Sequence, residues 1–412
     1  MIQLADRIHC TGCSACANSC MHQAIQMQPD DEGFLQPTIN KDKCVECGLC
    51  IKRCPVLNPI NREVSKQKAY ALISYKYRTV SSSGGAFSVI AEYVLQQGGV
   101  VFGASMNNAQ CVKHIAIEQE EKLSLLRGSK YVQSDIGNSY KEVKNYISAG
   151  RLVLFTGTPC QVAGLYAYLA GKRHEGQLIT IDLVCHGIPS QGAFDAYLKK
   201  INRLYDRHIE DFRFRKLDSW SIVPTIKFAK SKWKVLNLWE NAYIDAFFKG
   251  ITFRESCFRC NYCNTQRIGT ITIADFWGIG RHGKRFKKNV ACGVSLVIDN
   301  QNIIPAIHSR LAQHAHLEIR DMEEAISEQT NLKAPTPRAA IRDKAVKMLM
   351  DPDIPLKDFA QNCGLQWKVT PKYLTIKIIK DLIYTFKLYN VYKTIIINWE
   401  NHENRYSDIY QR

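Results

Sequence analysis

Two cysteine blocks near the amino terminus constrain the fold of this chain more than any other feature. Each block has the spacing C-x2-C-x2-C-x3-C, one over residues 10–20 and the other over residues 44–54. Three closely spaced thiolates wrap one face of a cubane iron–sulfur cluster, and the fourth cysteine crosses to the other cluster. The ligands predicted for cluster I are Cys10, Cys13, Cys16 and Cys54, and those for cluster II are Cys44, Cys47, Cys50 and Cys20.

Zinc and disulfides are the alternatives for these cysteines. Zinc sites usually join two separate C-x2-C pairs rather than use a run of four cysteines. A disulfide framework is typical of small secreted domains, whereas this chain has 412 residues and shows no secretory leader. The blocks therefore predict a ferredoxin-like module with two 4Fe-4S clusters over residues 1–57.

Composition limits the remaining possibilities. With 46% apolar residues the chain can bury cores in two or three domains. No run of about 18 apolar residues suggests a membrane span, and sixteen cysteines favour metal ligation in a reducing cytoplasm. The formal charge of +17 favours anionic partners, either a phosphate-bearing cofactor, an acidic redox protein or a lipid surface. Nucleic acid is not expected, because no reader motif is present.

The middle of the chain alternates strand and helix patterns. A strand at 69–74, a helix at 86–97 and a strand at 100–104 are followed by a strand at 152–155, a helix at 161–169 and a strand at 178–183. Such alternation predicts a parallel α/β unit whose ligands lie at the carboxyl ends of the strands. Antiparallel strands are predicted within 211–240. The expected fold class is α/β, or α+β overall.

Further cysteines lie where such strands end. Cys160 and Cys185 each follow a predicted strand, and a C-x2-C-x2-C run supplies Cys257, Cys260 and Cys263. Neither group completes a cubane alone, so their combination predicts a third metal centre. The other three cysteines, Cys111, Cys292 and Cys363, are expected to be ordinary packed thiols.

Several motifs in this part of the chain carry a family resemblance. Thr-Gly-Thr-Pro-Cys-Gln at 156–161, Asp-Leu-Val-Cys-His-Gly-Ile-Pro-Ser at 182–190, Ser-Cys-Phe-Arg-Cys at 256–260 and Ile-Thr-Ile-Ala-Asp-Phe-Trp-Gly at 271–278 resemble the coenzyme F420 hydrogenase/dehydrogenase beta-subunit family. Ser-Ser-Gly-Gly at 82–85 and Arg-Gly-Ser-Lys-Tyr-Val-Gln-Ser at 127–134 match as well.

The resemblance covers roughly residues 1–300 and implies an FAD-binding α/β core beside an inner cubane. The implied cluster ligands are Cys160, Cys185, Cys257 and Cys260, with Cys263 as an extra thiol that leaves the exact set open. Thr270 stands where the family usually has Asp, which leaves the redox partner or substrate open.

The resemblance also implies which residues bind FAD: Ser82, Ser83, Gly84, Gly85, Arg127, Ser129, Lys130, Tyr131, Gln133, Thr156, Gly157 and Thr158. Glycines at a helix start can offer amide donors to a pyrophosphate, although a serine cap followed by loop glycines explains them equally well. His186 either donates a proton near the flavin, as a catalytic residue, or hydrogen-bonds a cluster sulfur, which we favour.

The sequence therefore predicts four segments: the ferredoxin module at 1–57, two parts of the flavin-binding core at 66–148 and 149–330, and a helical tail at 331–412. The predicted function is an iron–sulfur flavoprotein oxidoreductase, served by a redox protein and acting on a small molecule. An electron-transfer subunit without its own substrate site, or a protein with structural or sensory clusters, are the alternatives.

The tail contains an amphipathic pattern over 373–399, with lysines between apolar residues at helical spacing. Such a helix either docks on the protein's own core, which base rates favour, or makes a peripheral contact with a membrane.

Overall fold

A computed structural model describes residues 2–60, 66–107, 110–217, 220–236 and 238–365. The amphipathic pattern at 373–399 lies outside these residues. Within them, no helix is both long and apolar enough to cross a membrane. The helices are α1 (Ala15–Ser19), α2 (Leu49–Lys52), α3 (Ala86–Gln96), α4 (Ser139–Ser148), α5 (Pro159–Tyr168), α6 (Gln191–Tyr205), α7 (Ala242–Phe248), α8 (Ile304–His314), α9 (Met322–Ser327), α10 (Arg342–Met350) and α11 (Leu356–Asn362).

The strands form three sheets. They are β1 (Ile25–Pro29), β2 (Leu35–Ile39), β3 (Lys68–Ser74), β4 (Val100–Met106), β5 (Val112–Ile117), β6 (Val153–Gly157), β7 (Leu178–Leu183), β8 (Ile209–Arg213), β9 (Thr225–Phe228), β10 (Lys234–Val235), β11 (Ile271–Asp275), β12 (Ser295–Asp299) and β13 (Ala315–Arg320).

The main sheet has eight strands in the order β13-β3-β12-β11-β7-β6-β4-β5. Its centre is parallel, because β4 pairs with β6, β6 with β7 and β7 with β11 in the same direction. The outer strands are antiparallel. The predicted parallel α/β unit is confirmed, and the antiparallel strands expected within 211–240 are the sheet β10-β9-β8.

Helices cover both faces of the main sheet. On one face α3 and α8 pack with Leu72, Leu154 and Ile181, and on the other α4 and α5 pack with Val153 and Phe155. Alternate residues of β6 therefore enter opposite cores, as the two-residue period of a strand requires. Burial of both faces explains why β6 begins with the continuous apolar run Val-Leu-Phe.

The helix that follows β6 begins at Pro159, two residues before the predicted start. Its first turn is capped by Thr158, whose backbone N–H donates to Gln161 Oε1 at 3.0 Å. Proline suits this position because the first N–H of a helix has no intrahelical partner. The cap places Cys160 in the first turn of α5.

The first part of the predicted tail belongs to the fold. Helices α10 and α11 bury Leu349 and Phe359 in the same cluster as Phe194 and Tyr197 of α6. The segment 331–365 therefore completes the core around α6.

The amino-terminal module also packs directly on the core. Arg254 is 1% exposed, and its guanidinium donates to the carbonyl oxygens of Cys10 at 3.0 Å and Leu35 at 2.6 Å. Arginine supplies five donors in one plane, so a single buried side chain from the core joins the first cysteine loop to the antiparallel hairpin β1–β2.

Arg342 of α10 joins the same hairpin to the core from another side. Its two terminal nitrogens donate to the two carboxylate oxygens of Glu32, both at 2.6 Å, and Nη2 also donates to the carbonyl oxygen of Phe253 at 2.8 Å. The arginine side chain is 1% exposed and that of Glu32 22%. Next to this ion pair, the backbones of Gly33 and Gly192 are in contact, and a Cβ at Gly33 would lie 2.6 Å from the Gly192 Cα.

Arg342→Ala should lower the free energy of unfolding by about 2–3 kcal/mol, because it removes a bidentate partner from a largely buried carboxylate. Urea unfolding of the anaerobic protein, followed by tryptophan fluorescence, measures the change. Arg338→Ala is the matched control, since that side chain is 31% exposed and its ion pairs should contribute less than about 1 kcal/mol. Equal effects of the two substitutions would contradict the role of Arg342.

Candidate redox centres and cofactor cavity

The four cysteines predicted for cluster I surround one small cavity. It is lined by Cys10, Cys13, Cys16 and Cys54. Burial, together with the neighbouring thiols of Cys10 and Cys54, raises the pKa of Cys16 to about 12. The Cys16 thiol therefore holds its proton in the absence of iron, and cluster assembly must displace it.

The cysteines predicted for cluster II are nearer the solvent. Cys47 is exposed, whereas Cys50 is buried. Burial raises the pKa of Cys50, with further contributions from the neighbouring Cys20 and Cys44. Cys20 of the first block therefore lies near Cys50 of the second block, and its role as a ligand of cluster II stays a prediction.

A second group of cysteines converges at the carboxyl edge of the main sheet. Cys160 lies in α5 directly after β6, Cys185 follows β7, and Cys257 and Cys260 lie at a short turn of 3-10 helix over Glu255–Arg259. Burial raises the pKa of Cys257 to about 12, with additional contributions from Cys160 and Cys260. Burial also raises the pKa of Cys185, with contributions from the other three thiols.

A buried ion pair brings the Cys257–Cys263 loop to β7. Asp182 and Arg267 are 0% and 1% exposed, with 3.2 Å between Oδ1 and Nη2. Arg267 also donates to the carbonyl oxygens of Tyr262 at 2.5 Å and Leu183 at 2.8 Å. Asp182 in turn accepts from the hydroxyl of Thr272 at 2.5 Å. These bonds connect the end of β7, the cysteine loop and β11.

The residue that departs from the family pattern is part of the same buried layer. Thr270 lies just before β11, and its hydroxyl is 3.0 Å from that of Thr180 on β7. Its backbone N–H donates to the same Thr180 hydroxyl at 2.8 Å. Thr270 therefore links β7 to the start of β11 and is 7% exposed.

Cys263 is closely associated with Cys260. A hydrogen bond from Cys263 lowers the pKa of Cys260 to about 7 and raises that of Cys263. Across the described parts of the chain, no three His, Cys, Asp or Glu side chains are arranged to hold a single metal ion.

A large cavity of about 510 Å³ lies beside this second group, and Cys160 and Cys185 both line it. Its volume is within the usual range for cofactor pockets. Three loops supply most of its polar wall, and nearly all of the residues predicted to bind FAD are there: Ser82, Ser83, Gly85, Arg127, Ser129, Lys130, Tyr131, Gln133, Thr156, Gly157 and Thr158. Gly84 packs elsewhere, since a Cβ there would lie 2.1 Å from the Leu72 carbonyl oxygen.

The cavity wall is ordered by contacts between these loops. The hydroxyl of Ser82 accepts from the backbone N–H of Ser129 at 3.0 Å, and Gly85 adopts a φ of +91° before α3 begins. The positive end of α3 is therefore at the cavity, as a phosphate requires. Lys130 donates its ammonium to the carbonyl oxygen of Arg127 at 2.8 Å, and the Tyr131 ring packs 4.4 Å from that of Phe247.

His186 lines the cavity but uses both ring nitrogens elsewhere. Nδ1 is 2.8 Å from Asn331 Oδ1, and Nε2 is 3.2 Å from the carbonyl oxygen of Phe248. These contacts, rather than a sulfur, fix the ring, so the favoured role of hydrogen-bonding a cluster sulfur does not agree with this geometry. Proton donation by His186 stays a prediction.

No sequence pattern pointed to His114, which lines the cavity as well. Burial lowers its pKa to about 4. The ring stacks 5.2 Å from that of Phe155 and lies 2.8 Å from both Ser134 Oγ and the Thr156 carbonyl oxygen. A neutral imidazole therefore supports the Thr156–Thr158 loop.

Comparisons with known proteins identify two segments of the chain. Residues 9–58 match the 4Fe-4S dicluster domain, so this segment is a ferredoxin-type domain for two 4Fe-4S clusters. Residues 150–325 match the C terminus of the beta subunit of coenzyme F420 hydrogenase/dehydrogenase. This similarity covers less than half of the chain.

Two individual proteins are also similar. An uncharacterized polyferredoxin-like protein of Methanocaldococcus jannaschii is 38% identical over 60 residues, which are 13% of this chain and 36% of that protein. The chain thus spans about a third of that relative's length. One chain of the xenon-derivatized F420-reducing nickel–iron hydrogenase complex of Methanosarcina barkeri is also similar. The alignment covers 74% of this chain and 94% of that chain, at 15% identity and a TM-score of 0.42.

Cys260→Ser should remove the third cluster and leave the two ferredoxin-type clusters, so that iron falls from about twelve to about eight atoms per chain. Cys263→Ser, three residues away, is the matched control and should keep about twelve. Iron and sulfide analysis of the anaerobically purified variants measures the difference. If Cys263→Ser loses the cluster while Cys160→Ser keeps it, the C-x2-C-x2-C run is the ligand set instead.

Proposed function

We propose that this protein is an iron–sulfur flavoprotein oxidoreductase. Electrons pass between the two ferredoxin-type clusters, a third cubane held by Cys160, Cys185, Cys257 and Cys260, and FAD in the large cavity. A reducible small molecule is the final partner of the flavin. The protein donor or acceptor is an acidic redox protein, since the chain has a formal charge of +17.

One observation carries this proposal. Cys160 and Gly164 are four residues apart on α5 and therefore lie on the same face, about one helical turn apart. Cys160 lines the large cavity, whereas a Cβ at Gly164 would lie 3.1 Å from the sulfur of Cys13. A single helical turn thus joins the predicted ligand of cluster I to the predicted ligand of the inner cluster.

Neighbouring contacts fix this approach. The Tyr140 hydroxyl lies 2.8 Å from the carbonyl oxygen of Cys13 and 2.7 Å from that of Gln161. Asn18 donates from α1 to the carbonyl oxygen of Gly137 at 2.8 Å. The cluster I loop is therefore held against α4 and α5 by hydrogen bonds, which suits rapid electron transfer over a fixed short distance.

The cavity has the chemistry that FAD requires. When bound, FAD exchanges single electrons with clusters and hydride with organic substrates. The amino terminus of α3 and the Arg127 side chain supply positive potential for its pyrophosphate, while Tyr131 and Phe247 form an aromatic wall that excludes water. The carbonyl oxygen of Phe248, 3.2 Å away, holds a proton on Nε2 of His186 at the edge of the cavity.

The second candidate is an electron-transfer subunit without its own substrate site, which serves a partner enzyme. The match of residues 150–325 to a domain of hydrogenase and dehydrogenase beta subunits supports such a partner. The cavity of about 510 Å³ has room for a cofactor in either candidate, and the two differ in whether a small molecule also binds there.

Anaerobic purification of the full chain, followed by iron, sulfide and flavin analysis, tests the proposal. We expect about twelve iron atoms, as three cubanes require, and one FAD per chain. About eight iron atoms without flavin would contradict both the third cluster and the flavin and would favour a relay or sensory role. Clusters and flavin without any small-molecule reductase activity would favour the electron-transfer subunit.

A further inference from the structure

Arg215 is a buried cation whose hydrogen bonding is incomplete. It follows β8 and is 4% exposed. Nε donates to the carbonyl oxygen of Ser221 at 3.1 Å, and Nη1 donates to Asp275 Oδ2 at 2.6 Å. Nη2 has no hydrogen-bond partner among the residues that the structure describes. A buried donor left without an acceptor costs free energy, so an acceptor from a ligand would be stabilising there.

The Arg215 side chain is part of the wall of the large cavity. Asp275, Trp277 and Cys185 line the same cavity. In the parallel pairing of β11 with β7, Ile273 is opposite Leu183. Asp275 and Cys185 each follow two residues later, so they lie at the same level of the sheet edge. The Arg215 guanidinium therefore pairs with the carboxylate of Asp275 at the end of β11, on the sheet edge that also carries Cys185.

Stacked indoles make this part of the wall rigid. The Trp220 and Trp277 rings lie 4.8 Å apart and within 6° of parallel. Asp275 Oδ1 accepts from Trp220 Nε1 at 2.7 Å, and the Asp275 carbonyl oxygen accepts from Gln329 Nε2 at 2.5 Å. Trp220 and Arg215 thus occupy both carboxylate oxygens of Asp275, which fixes the arginine, while its Nη2 stays without a hydrogen-bond partner among the described residues.

Charge near the cavity favours an anion at this donor. The loop over residues 281–288 carries six basic residues, Arg281, His282, Lys284, Arg285, Lys287 and Lys288, and all six are exposed. The loop follows Trp277 and is joined to the cavity wall through Glu328, which is 3.1 Å from Arg281. A carboxylate would be attracted to this rim and then form a charge-assisted bond with Arg215.

We propose that Arg215 binds the carboxylate of the small-molecule substrate, and that the flat part of the substrate packs against Trp277. The substrate class is thus a planar organic carboxylate, aromatic or conjugated. The inference rests on the proposed function, in which the same cavity holds the flavin. The binding of an anion at Arg215 can nevertheless be measured independently of electron transfer.

Benzoate and its neutral isostere benzamide are suitable probes, with binding to the full anaerobic protein measured by titration calorimetry. We expect benzoate to bind more tightly than benzamide, and Arg215→Gln to weaken benzoate binding at least about tenfold. Arg213→Gln is the matched control, since Arg213 lies on the same strand and packs 3.9 Å from the Trp233 ring. Iron and flavin content should be unchanged in both variants.

Arg215→Lys is a second variant that tests the proposal if Arg215→Gln fails to fold. Lysine keeps a positive charge beside Asp275 but has no second planar donor, so benzoate affinity should fall while flavin and iron are retained. The proposal would be overturned if the wild-type protein does not bind benzoate, or if the variants bind it as tightly as wild type. Arg215-dependent benzoate binding by a protein without flavin would refute the proposed function and leave the anion site standing.

Discussion

The buried ion pair between Asp182 and Arg267 is the interaction on which the centre of this protein depends. Both side chains are at most 1% exposed, so removal of either would leave an uncompensated charge in the core. The pair joins the end of β7 to the loop that carries Cys257 and Cys260 and, through Thr272, to β11. Together with the parallel pairing of β7 and β11, it helps to position cysteines that are more than seventy residues apart in sequence.

The same strand ends define two adjoining sites with different chemistry. On one side lie the buried thiols proposed to hold the third cluster, next to the two-cluster module. On the other side, the cavity combines the positive end of α3 with an aromatic wall and the guanidinium of Arg215. Parallel strands bring their carboxyl ends to one edge. The proposed cluster, flavin and anionic substrate would therefore all lie at that edge.

The sequence predicts the parts of this arrangement that are local. The cysteine blocks and the parallel strands follow from spacing and from short patterns. Arg267, His114 and Arg215 lie outside such patterns, and Asp182 begins a recognised motif without a predicted role, because each acts through a partner that is 20 or more residues away. The packing of α10 and α11 on α6 is equally non-local, which is why residues 331–365 resembled a separate tail.

The central claim is that electrons cross from cluster I to the cavity along one turn of α5. In Gly164→Ala, the new Cβ would lie 2.7 Å from the Tyr140 hydroxyl and 3.1 Å from the Cys13 sulfur, which forces the two apart. The rate of flavin reduction by a reduced bacterial ferredoxin, a donor too large for the cavity, measures the effect by stopped-flow absorbance. The account predicts slower reduction in Gly164→Ala with unchanged iron and flavin, and wild-type rates in the same-helix control Tyr168→Phe. Wild-type rates in Gly164→Ala would contradict it.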